Sequence, residues 1–334
     1  MDSLTQIVLG AAVGEAVLGK KVGNKAMFYG AIAGTIPDLD IVANLLTDAI
    51  TAIEIHRGFT HSIFFSVVFA PIFGWLVSNI EKKSGLSWKH WSWLFFWALI
   101  THPILDGFTT WGTQFFWPFE YRVALKTIFV IDPLYTFPFL LFLILTMFQK
   151  RTSPKRRFYN RLGLTVSSSY LLITLILKGI TYAKFEEALQ EQQIAYNQLQ
   201  TKPAPLNTVL WYANVETEDA FLIGDYSLFD SKPITFHSFP KNHHLLGDWI
   251  QNPNVKRLIK ITENGWFTIS KKKDQLYFND LRFGLLNNNP KNPEFAFTYL
   301  LYEKEGIIYA KETEKNRGDA QKLLGDLWER VKGN

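Results

Sequence analysis

Three short motifs in the N-terminal half of the chain contain histidine and aspartate, which bind divalent metal ions through nitrogen and oxygen. The 334-residue sequence has no cysteine, so a metal ion would have to be held by imidazole and carboxylate groups. Such a mixed set favours Zn²⁺ or Mn²⁺, with Fe²⁺ as a further candidate, over Ca²⁺, which prefers oxygen ligands. The six residues are Asp38 and Asp40, His56 and His61, and His102 and Asp106.

The spacing within two of these motifs suits chelation. His102 and Asp106 are four residues apart, so on a helix they share one face and can bind a single ion. Asp38 and Asp40 are two residues apart and would point in different directions on a regular helix. Pro37 precedes them, and the break it introduces would let both carboxylates approach one ion.

The third motif adds a candidate for binding an anion. His56 and His61 bracket a turn that contains Gly58, and Arg57 lies between them. A guanidinium binds phosphate or carboxylate at two points, so we predict that Arg57, with Arg122 as a second candidate, stabilises an anionic group.

The motifs lie within or beside long apolar segments that predict membrane helices. A spanning helix needs about 20 residues, with a range of about 17 to 25. The first segment is short and the second is interrupted by Pro37, but the other four reach this length. We therefore predict a membrane-embedded, all-α bundle of about six spanning or near-spanning helices. The segments are residues 4–18, 26–46, 63–80, 91–108, 127–148 and 162–183.

Basic residues in the connections predict the orientation. Lysine and arginine concentrate at residues 20–25, 82–89 and 150–161, and the positive-inside rule places all three stretches in the cytoplasm. The run at 150–161 lies between two apolar segments, so it indicates topology and not a nucleic-acid partner. All three metal motifs then lie toward the outer side of the membrane, where they can converge.

The composition changes near residue 184. We predict a multi-pass membrane domain over residues 1–184 and a small, extracytoplasmic, β-rich α+β domain over residues 185–334. A helical stretch at 185–200 opens the second domain, and a charged, amphipathic helix at 313–331 closes it. Runs rich in β-branched and aromatic residues predict strands at 208–215, 220–226, 265–269 and 296–302.

Each motif also has a purely structural interpretation. Asp38 would serve as a helix cap after the proline, and His102 as an interior histidine with satisfied hydrogen bonds. Glu15, a further acid within an apolar segment, would either support the metal ligands or form a hydrogen bond between helices. Independent caps need not gather on one side of a membrane, so the combined pattern favours a shared site.

The same residues resemble the YdjM-type family of inner-membrane proteins, which are described as membrane-bound, metal-dependent hydrolases. The resemblance covers about the first 150 residues and is specific only when the motifs are taken together. Many members carry histidine after the opening threonine, where this chain has Gln6. The matching residues are the opening stretch 1–5, residues 34–40 and 56–62, and Thr101, His102, Asp106 and Thr109.

The resemblance and the residues together suggest a metal-dependent hydrolase that acts at the outer membrane face. Asp38, His61, His102 and Asp106 would bind the ion, while Asp40 and His56 would complete the shell or transfer protons. A lipid-linked or phosphate-bearing substrate would suit a site at this depth. The alternative is a non-enzymatic membrane protein, either a transporter or an envelope assembly factor, whose polar cluster binds an ion or is structural.

Overall fold

The chain folds into two compact units in the computed structural model, which describes residues 1–263, 265–286, 293–313 and 320–334. Only the backbone is described at residues 43, 44 and 320. The first unit comprises Met1–Leu46, Ile55–Ile176 and Pro205–Asn207. The second comprises Thr47–Glu54, Leu177–Ala204 and Thr208–Asn334, so the chain enters it before the first unit is complete.

The first unit is helical. Its elements are α1 (Ser3–Val22), α2 (Asn24–Thr35), a 3-10 helix (Pro37–Leu45), a short 3-10 turn (Phe59–His61), α4 (Ile63–Ile80), a second 3-10 turn (Lys82–Ser84), α5 (Trp88–Asp106), α6 (Pro133–Met147) and most of α7 (Pro154–Glu191). The helix α3 (Ala49–Ile55) belongs to the second unit, except for its last residue. The predicted domain boundary at residue 184 falls within the continuous helix α7.

Two of the described helices, α4 and α7, are long and apolar enough to cross a membrane. In the apolar 18-residue stretch of each helix, only 28% of α4 and 17% of α7 is buried inside the protein. The core helices of a soluble protein are mostly buried, whereas helices that face lipid are not. The helix α6 is apolar but has 15 residues, fewer than a full span needs.

The predicted segment 127–148 begins too early. The helix starts at Pro133 because the Asp132 carboxylate accepts hydrogen bonds from the backbone nitrogens of Leu134 and Tyr135, which caps α6 at that point. The break predicted at Pro37 is present, since α2 ends at Thr35 and the chain continues as a 3-10 helix.

Glycine allows α1 and α2 to pack with their backbones in contact. A Cβ atom added to Gly30 would lie 2.2 Å from the carbonyl oxygen of Gly10, and one added to Gly14 would lie 2.2 Å from that of Ala26. Side chains at these positions would force the helices apart. The close approach brings the end of α2, including Gly34, against the start of α1.

The three basic connections meet at one end of the first unit. Lys25, near the start of α2, forms an ion pair at 2.6 Å with Glu81, which lies between α4 and α5. Arg151, which lies between α6 and α7, donates a hydrogen bond to the carbonyl oxygen of Lys21 near the end of α1 at 2.9 Å. The three stretches therefore lie at one end of the first unit.

Glu15 connects the first and last helices of this unit. Its carboxylate receives two hydrogen bonds from the Arg156 guanidinium, at 2.7 and 2.6 Å, and both side chains are buried. Of the two interpretations of Glu15, the structure therefore supports the contact between helices.

The second unit contains two four-stranded antiparallel sheets with the orders β1-β2-β3-β4 and β5-β6-β7-β8. Buried polar groups join them: the Asn214 amide donates to the carbonyl oxygen of Leu281 at 2.7 Å, and Lys202 donates to the carbonyl oxygens of Leu281 and Arg282. In chain order, the strands β1 to β8 are Gln198–Pro203, Leu210–Glu216, Ala220–Ser227, Phe236–Pro240, Phe267–Lys272, Gln275–Leu285, Phe295–Lys304 and Ile307–Glu312. The helical elements of this unit are a 3-10 segment at His243–Gln251, α8 at Pro253–Ile261 and α9 at Ala320–Val331.

The prediction of a β-rich C-terminal domain is confirmed, but one predicted helix is too long. Residues 185–200 were expected to be helical, whereas α7 ends at Glu191 and the chain then turns at Gln193, which has a positive φ of 55°. Gln198 already pairs with Glu216 in the first sheet. Part of the predicted closing helix, residues 314–319, lies outside the described residues, and α9 occupies the remainder up to Val331.

We predict that Gly30→Ala lowers the free energy of unfolding by about 1–3 kcal/mol, because the new methyl group meets the backbone of α1. Gly179→Ala is the matched control, since Gly179 is also helical but has open space where the added methyl group would lie. Thermal unfolding of both variants in detergent tests this. Equal stability of the two would show that the close approach does not support the fold.

Candidate metal centre

The first pair of acidic residues lies on the 3-10 helix that follows α2. Pro37 cannot continue the regular hydrogen bonding of α2, and the chain tightens into the 3-10 helix Pro37–Leu45. This geometry presents Asp38 and Asp40 to the same region. Asp40 is buried, while the Asp38 side chain is 26% exposed and so forms the accessible edge of the cluster.

The histidine motif forms a tight loop between α3 and α4. Arg57 has a positive φ of 58°, unusual for a residue with a side chain. Two hydrogen bonds hold this conformation, since the Arg57 nitrogen donates to Asp40 Oδ2 at 2.9 Å and its carbonyl oxygen accepts from the backbone of Gln114 at 3.0 Å. Ser62 ends the loop by capping α4 through Phe65.

The last motif occupies the C-terminal turn of α5. His102 and Asp106 are both buried and lie one turn apart, with His102 Nε2 3.7 Å from Asp106 Oδ2. The helix therefore continues through Pro103 and presents both side chains on one face, as their spacing predicted.

Four side-chain atoms from the three motifs converge. The Nε2 atoms of His61 and His102 are 3.2 Å apart. Asp38 Oδ1 lies 3.4 Å from each of these nitrogens, and Asp106 Oδ2 lies 3.5 Å from that of His61. All four atoms lie within 4.8 Å of one another. The structure thus brings together the four residues predicted as metal ligands.

Hydrogen bonds on the far side of each imidazole determine which nitrogen faces this point. His102 Nδ1 is 2.7 Å from the carbonyl oxygen of Gly34, which can only accept, so Nδ1 carries the proton and Nε2 presents a lone pair. His61 Nδ1 faces the Thr60 hydroxyl at 3.1 Å and Asp40 Oδ2 at 3.3 Å. The Thr60 hydroxyl donates to Asp40, so His61 Nδ1 also donates.

The resulting cluster fits a tetrahedral metal ion. Ligands at about 2.0–2.2 Å from such an ion are separated by roughly 3.3–3.6 Å. The five spacings that involve a histidine nitrogen are close to this, at 3.2–3.7 Å, and all four atoms lie within 4.8 Å of one another. The buried Asp106 Oδ2 has no hydrogen-bond partner among the described residues. Arg57 Nε lies 3.0 Å from it, but its N–H is not aligned for a hydrogen bond. Two imidazole nitrogens and two carboxylate oxygens that face one point repel one another unless a proton or a metal cation lies between them, so this cluster could hold a metal ion.

A proton and a metal ion compete at His61, which precedes α4. Burial lowers the pKa of its imidazole, but the carboxylates of Asp106, Asp38 and Asp40 outweigh this effect and raise the pKa to about 9. Histidine binds a metal only after it loses the proton on the coordinating nitrogen, so metal affinity should fall as the pH decreases.

Asp40 and His56 lie beside this point and not at it. Asp40 accepts hydrogen bonds from the Arg57 backbone and the Thr60 hydroxyl and contacts both histidines of the loop. A carboxylate behind a ligating imidazole orients the ring and increases its basicity. His56 Nδ1 lies 3.0 Å from Asp40 Oδ1, and the His56 side chain is 25% exposed.

The structure places Arg57 against a predicted ligand. Its Nη1 donates to the Thr109 hydroxyl at 2.6 Å and its Nε faces Asp106, so the side chain steadies that carboxylate. Its Nη2 has no protein partner among the described residues. Arg122 instead donates from Nη1 to the backbone carbonyl oxygen of His56 at 2.9 Å and so supports the loop.

The sequence analysis assigned no role to three neighbours of Asp106, namely Met1, Gln6 and Thr109. Gln6 Nε2 donates to Asp106 Oδ1 at 2.9 Å and to the carbonyl oxygen of His102 at 3.3 Å, and the Met1 amino group contacts the same carboxylate. The Thr109 hydroxyl donates to the Asp106 carbonyl oxygen at 2.7 Å. The spacing of three residues between Asp106 and Thr109 was a signal for this contact, whereas the contact of Gln6 depends on how α1 packs against α5.

Comparison with known proteins identifies the family. Residues 1–181, just over half of the chain, match the model of the YdjM inner membrane protein. The chain belongs to the YdjM inner membrane protein family. This confirms the resemblance found in the motifs, and all four converging residues lie within the matched region of this YdjM-family chain.

One relative of this YdjM-family protein is the inner membrane protein YbcI of Escherichia coli (strain K12). It is 29% identical over 120 residues, which make up 35% of this chain and 67% of YbcI. No solved structure matches the chain. Family and relative agree on an inner membrane protein.

We predict that the protein purified in detergent carries close to one divalent ion per chain and that His102→Ala loses it, because one of the four converging lone pairs is removed. His90→Ala is the matched control: His90 lies on the same helix but contacts Ser87 at the other end. Elemental analysis of the three proteins measures the ion. Equal metal content in the two variants would exclude the cluster as the binding site.

Proposed function

We propose that the protein is a membrane-bound, metal-dependent hydrolase that acts at the outer face of the inner membrane on a lipid-linked or phosphate-bearing substrate. The observation that carries the proposal is the convergence of Asp38, His61, His102 and Asp106 on one point. Hydrogen bonds behind both imidazoles turn their lone pairs toward it. Zn²⁺ and Mn²⁺ suit such a set of ligands.

The chain's own residues have distinct tasks in this reaction. When bound, the ion would polarise the scissile group and lower the pKa of a coordinated water to about 7. Asp38, the most exposed of the four ligands, borders the side from which substrate enters. His56 is partly exposed and paired with Asp40, so this pair is placed to carry a proton between the site and solvent.

Exposed apolar side chains next to this entrance support a lipid-linked substrate. Leu39 is 60% exposed between the two acidic residues of its motif, and Ile41 follows at 59%. Phe119 and Tyr121 are also exposed in the loop after α5. Such residues concentrate where protein meets the lipid headgroups, so an acyl or prenyl chain would lie beside the polar cluster.

The orientation follows from the basic connections. Their shared end of the first unit would face the cytoplasm, and the metal motifs would face outward. The apolar segments, including the shorter α2 and α6, would form a six-helix, multi-pass bundle with the C-terminal unit outside. The bidentate pair of Glu15 with Arg156 leaves no free carboxylate at that position for a transport path, which favours the hydrolase over a transporter.

Arg57→Lys tests the role of the guanidinium. A lysine can still face Asp106, so we expect the fold and the metal to be retained. Hydrolysis should fall at least about tenfold, because an ammonium cannot hold Asp106 and Thr109 while also presenting a further donor to an anionic substrate. Activity is measured on a panel of phosphorylated and lipid-linked substrates.

Arg122→Lys is the control, since a single donor can replace its contact with the His56 backbone. Equal hydrolysis by the Arg57→Lys variant and the wild type would contradict the role of Arg57. A wild-type protein with bound metal and no hydrolysis across the panel would favour the non-enzymatic alternative.

A reporter fused after Asn334 tests the orientation. We expect a phosphatase fusion, which is active only outside the cytoplasm, to be active, and a fluorescent protein that matures only in the cytoplasm to be dark. The opposite pattern would place the metal motifs at the cytoplasmic face and overturn the outward-facing site.

A further inference from the structure

The connection between the first two metal motifs folds as part of the second unit. The chain leaves the first unit after Leu46, forms α3, and returns at Ile55. Asp40 lies shortly before this excursion, and His56 follows directly after it. The C-terminal end of α3 is therefore joined directly to His56, while eight residues separate its N-terminal end from Asp40.

Apolar burial attaches α3 to the second unit. Ile50 is only 2% exposed and belongs to a hydrophobic cluster with Val255 and Leu258 of α8 and with Phe267 of β5. Ile53 packs against the same cluster. Removal of an isoleucine side chain from water is favourable, so α3 is an anchored element and not a free loop.

Arg257 of α8 adds a specific contact to α3. Its Nε lies 3.0 and 3.1 Å from the two carboxylate oxygens of Glu54, and its Nη2 donates to Glu54 at 2.6 Å and to the Thr51 hydroxyl at 2.8 Å. Asp48 caps the start of the helix through Ile50 and Thr51. The guanidinium thus holds the C-terminal end of α3, two residues before His56.

We infer that the contacts of α3 with α8 restrain the loop that follows α3 and so position the metal ligands of this loop, with Arg257 as a positioning residue; this rests on the proposed metal-dependent function. The loop after α3 must place the Arg57 nitrogen on Asp40 and orient His61 toward the shared point. Because His56 directly follows α3, the contacts that anchor α3 restrain the start of this loop. Release of α3 would let the loop relax from its positive φ at Arg57 and weaken the ligand set.

The experiment compares Arg257→Ala with Arg330→Ala in the full-length protein. Arg330 forms comparable ion pairs with Asp225 and Asp230 in the same unit, and it is less exposed, at 17% against 33% for Arg257. It therefore controls for general destabilisation of the unit. Arg257→Lys, which keeps the charge and one contact to Glu54, serves as the conservative rescue.

Two measurements are made on each protein: the affinity and visible absorption of Co²⁺ added as a probe, and hydrogen exchange of the backbone amides at residues 56–62 without metal. For Arg257→Ala we expect about tenfold weaker Co²⁺ binding, an altered absorption spectrum and faster exchange at 56–62. Arg330→Ala should match the wild type in both, and Arg257→Lys should recover most of the loss.

Exchange at residues 56–62 that is the same in Arg257→Ala and Arg330→Ala would overturn the inference. A wild-type protein that binds no divalent ion would instead refute the proposed function, and the exchange comparison would still decide whether the contacts of α3 with α8 restrain the loop. The two failures are therefore distinguishable.

Discussion

The convergence of four electron-pair donors at one buried point is the constraint on which the rest of the first unit depends. Two imidazole nitrogens and two carboxylate oxygens repel one another unless a cation or proton lies between them. The surrounding groups are arranged to hold these four in place. The Gly34 carbonyl, the Asp40 carboxylate and the Arg57 guanidinium each contact one of the four from behind.

The same residues bring the helix backbones together and support the candidate metal site in this unit. A Cβ atom on Gly34 would lie 2.5 Å from the carbonyl oxygen of Gln6, so this glycine allows α2 to approach α1. The carbonyl oxygen of Gly34 also accepts the hydrogen bond that orients His102, while the side chain of Gln6 contacts Asp106. A change that separated the two helices would therefore also disturb a ligand on α5.

Local chemistry made much of this predictable from sequence. Pro37 marked the break after α2, and the spacing of His102 and Asp106 marked a shared helix face. Spacing alone did not distinguish a residue at the centre of the cluster from one that orients it, because Asp38 and Asp40 have the same chemistry and differ only in which way the 3-10 helix turns them. Apolar composition likewise extended α6 to residue 127, although the cap at Asp132 determines where it begins.

Long-range packing was beyond a single sequence. Residues 47–55 read as an ordinary loop between two motifs, since the partners of Ile50 and Glu54 lie some 200 positions later in the chain. The same limit applies to Gln6, whose contact with Asp106 joins helices 100 residues apart. The composition of the C-terminal part predicted four of the eight described strands, β2, β3, β5 and β7, because β-branched and aromatic residues act locally. It did not predict the packing of α3 against this part.

The ion pair between Glu15 and Arg156 has a consequence for how the protein is made. The two residues are 141 positions apart, so the ribosome completes α1 long before it synthesises the guanidinium that neutralises its acid. During that interval the carboxylate of α1 lacks the guanidinium that it pairs with in the folded protein, and a buried carboxylate without such a partner is costly. The packing of α7 against α1 is then the step that allows the acid of the first helix to be buried as an ion pair.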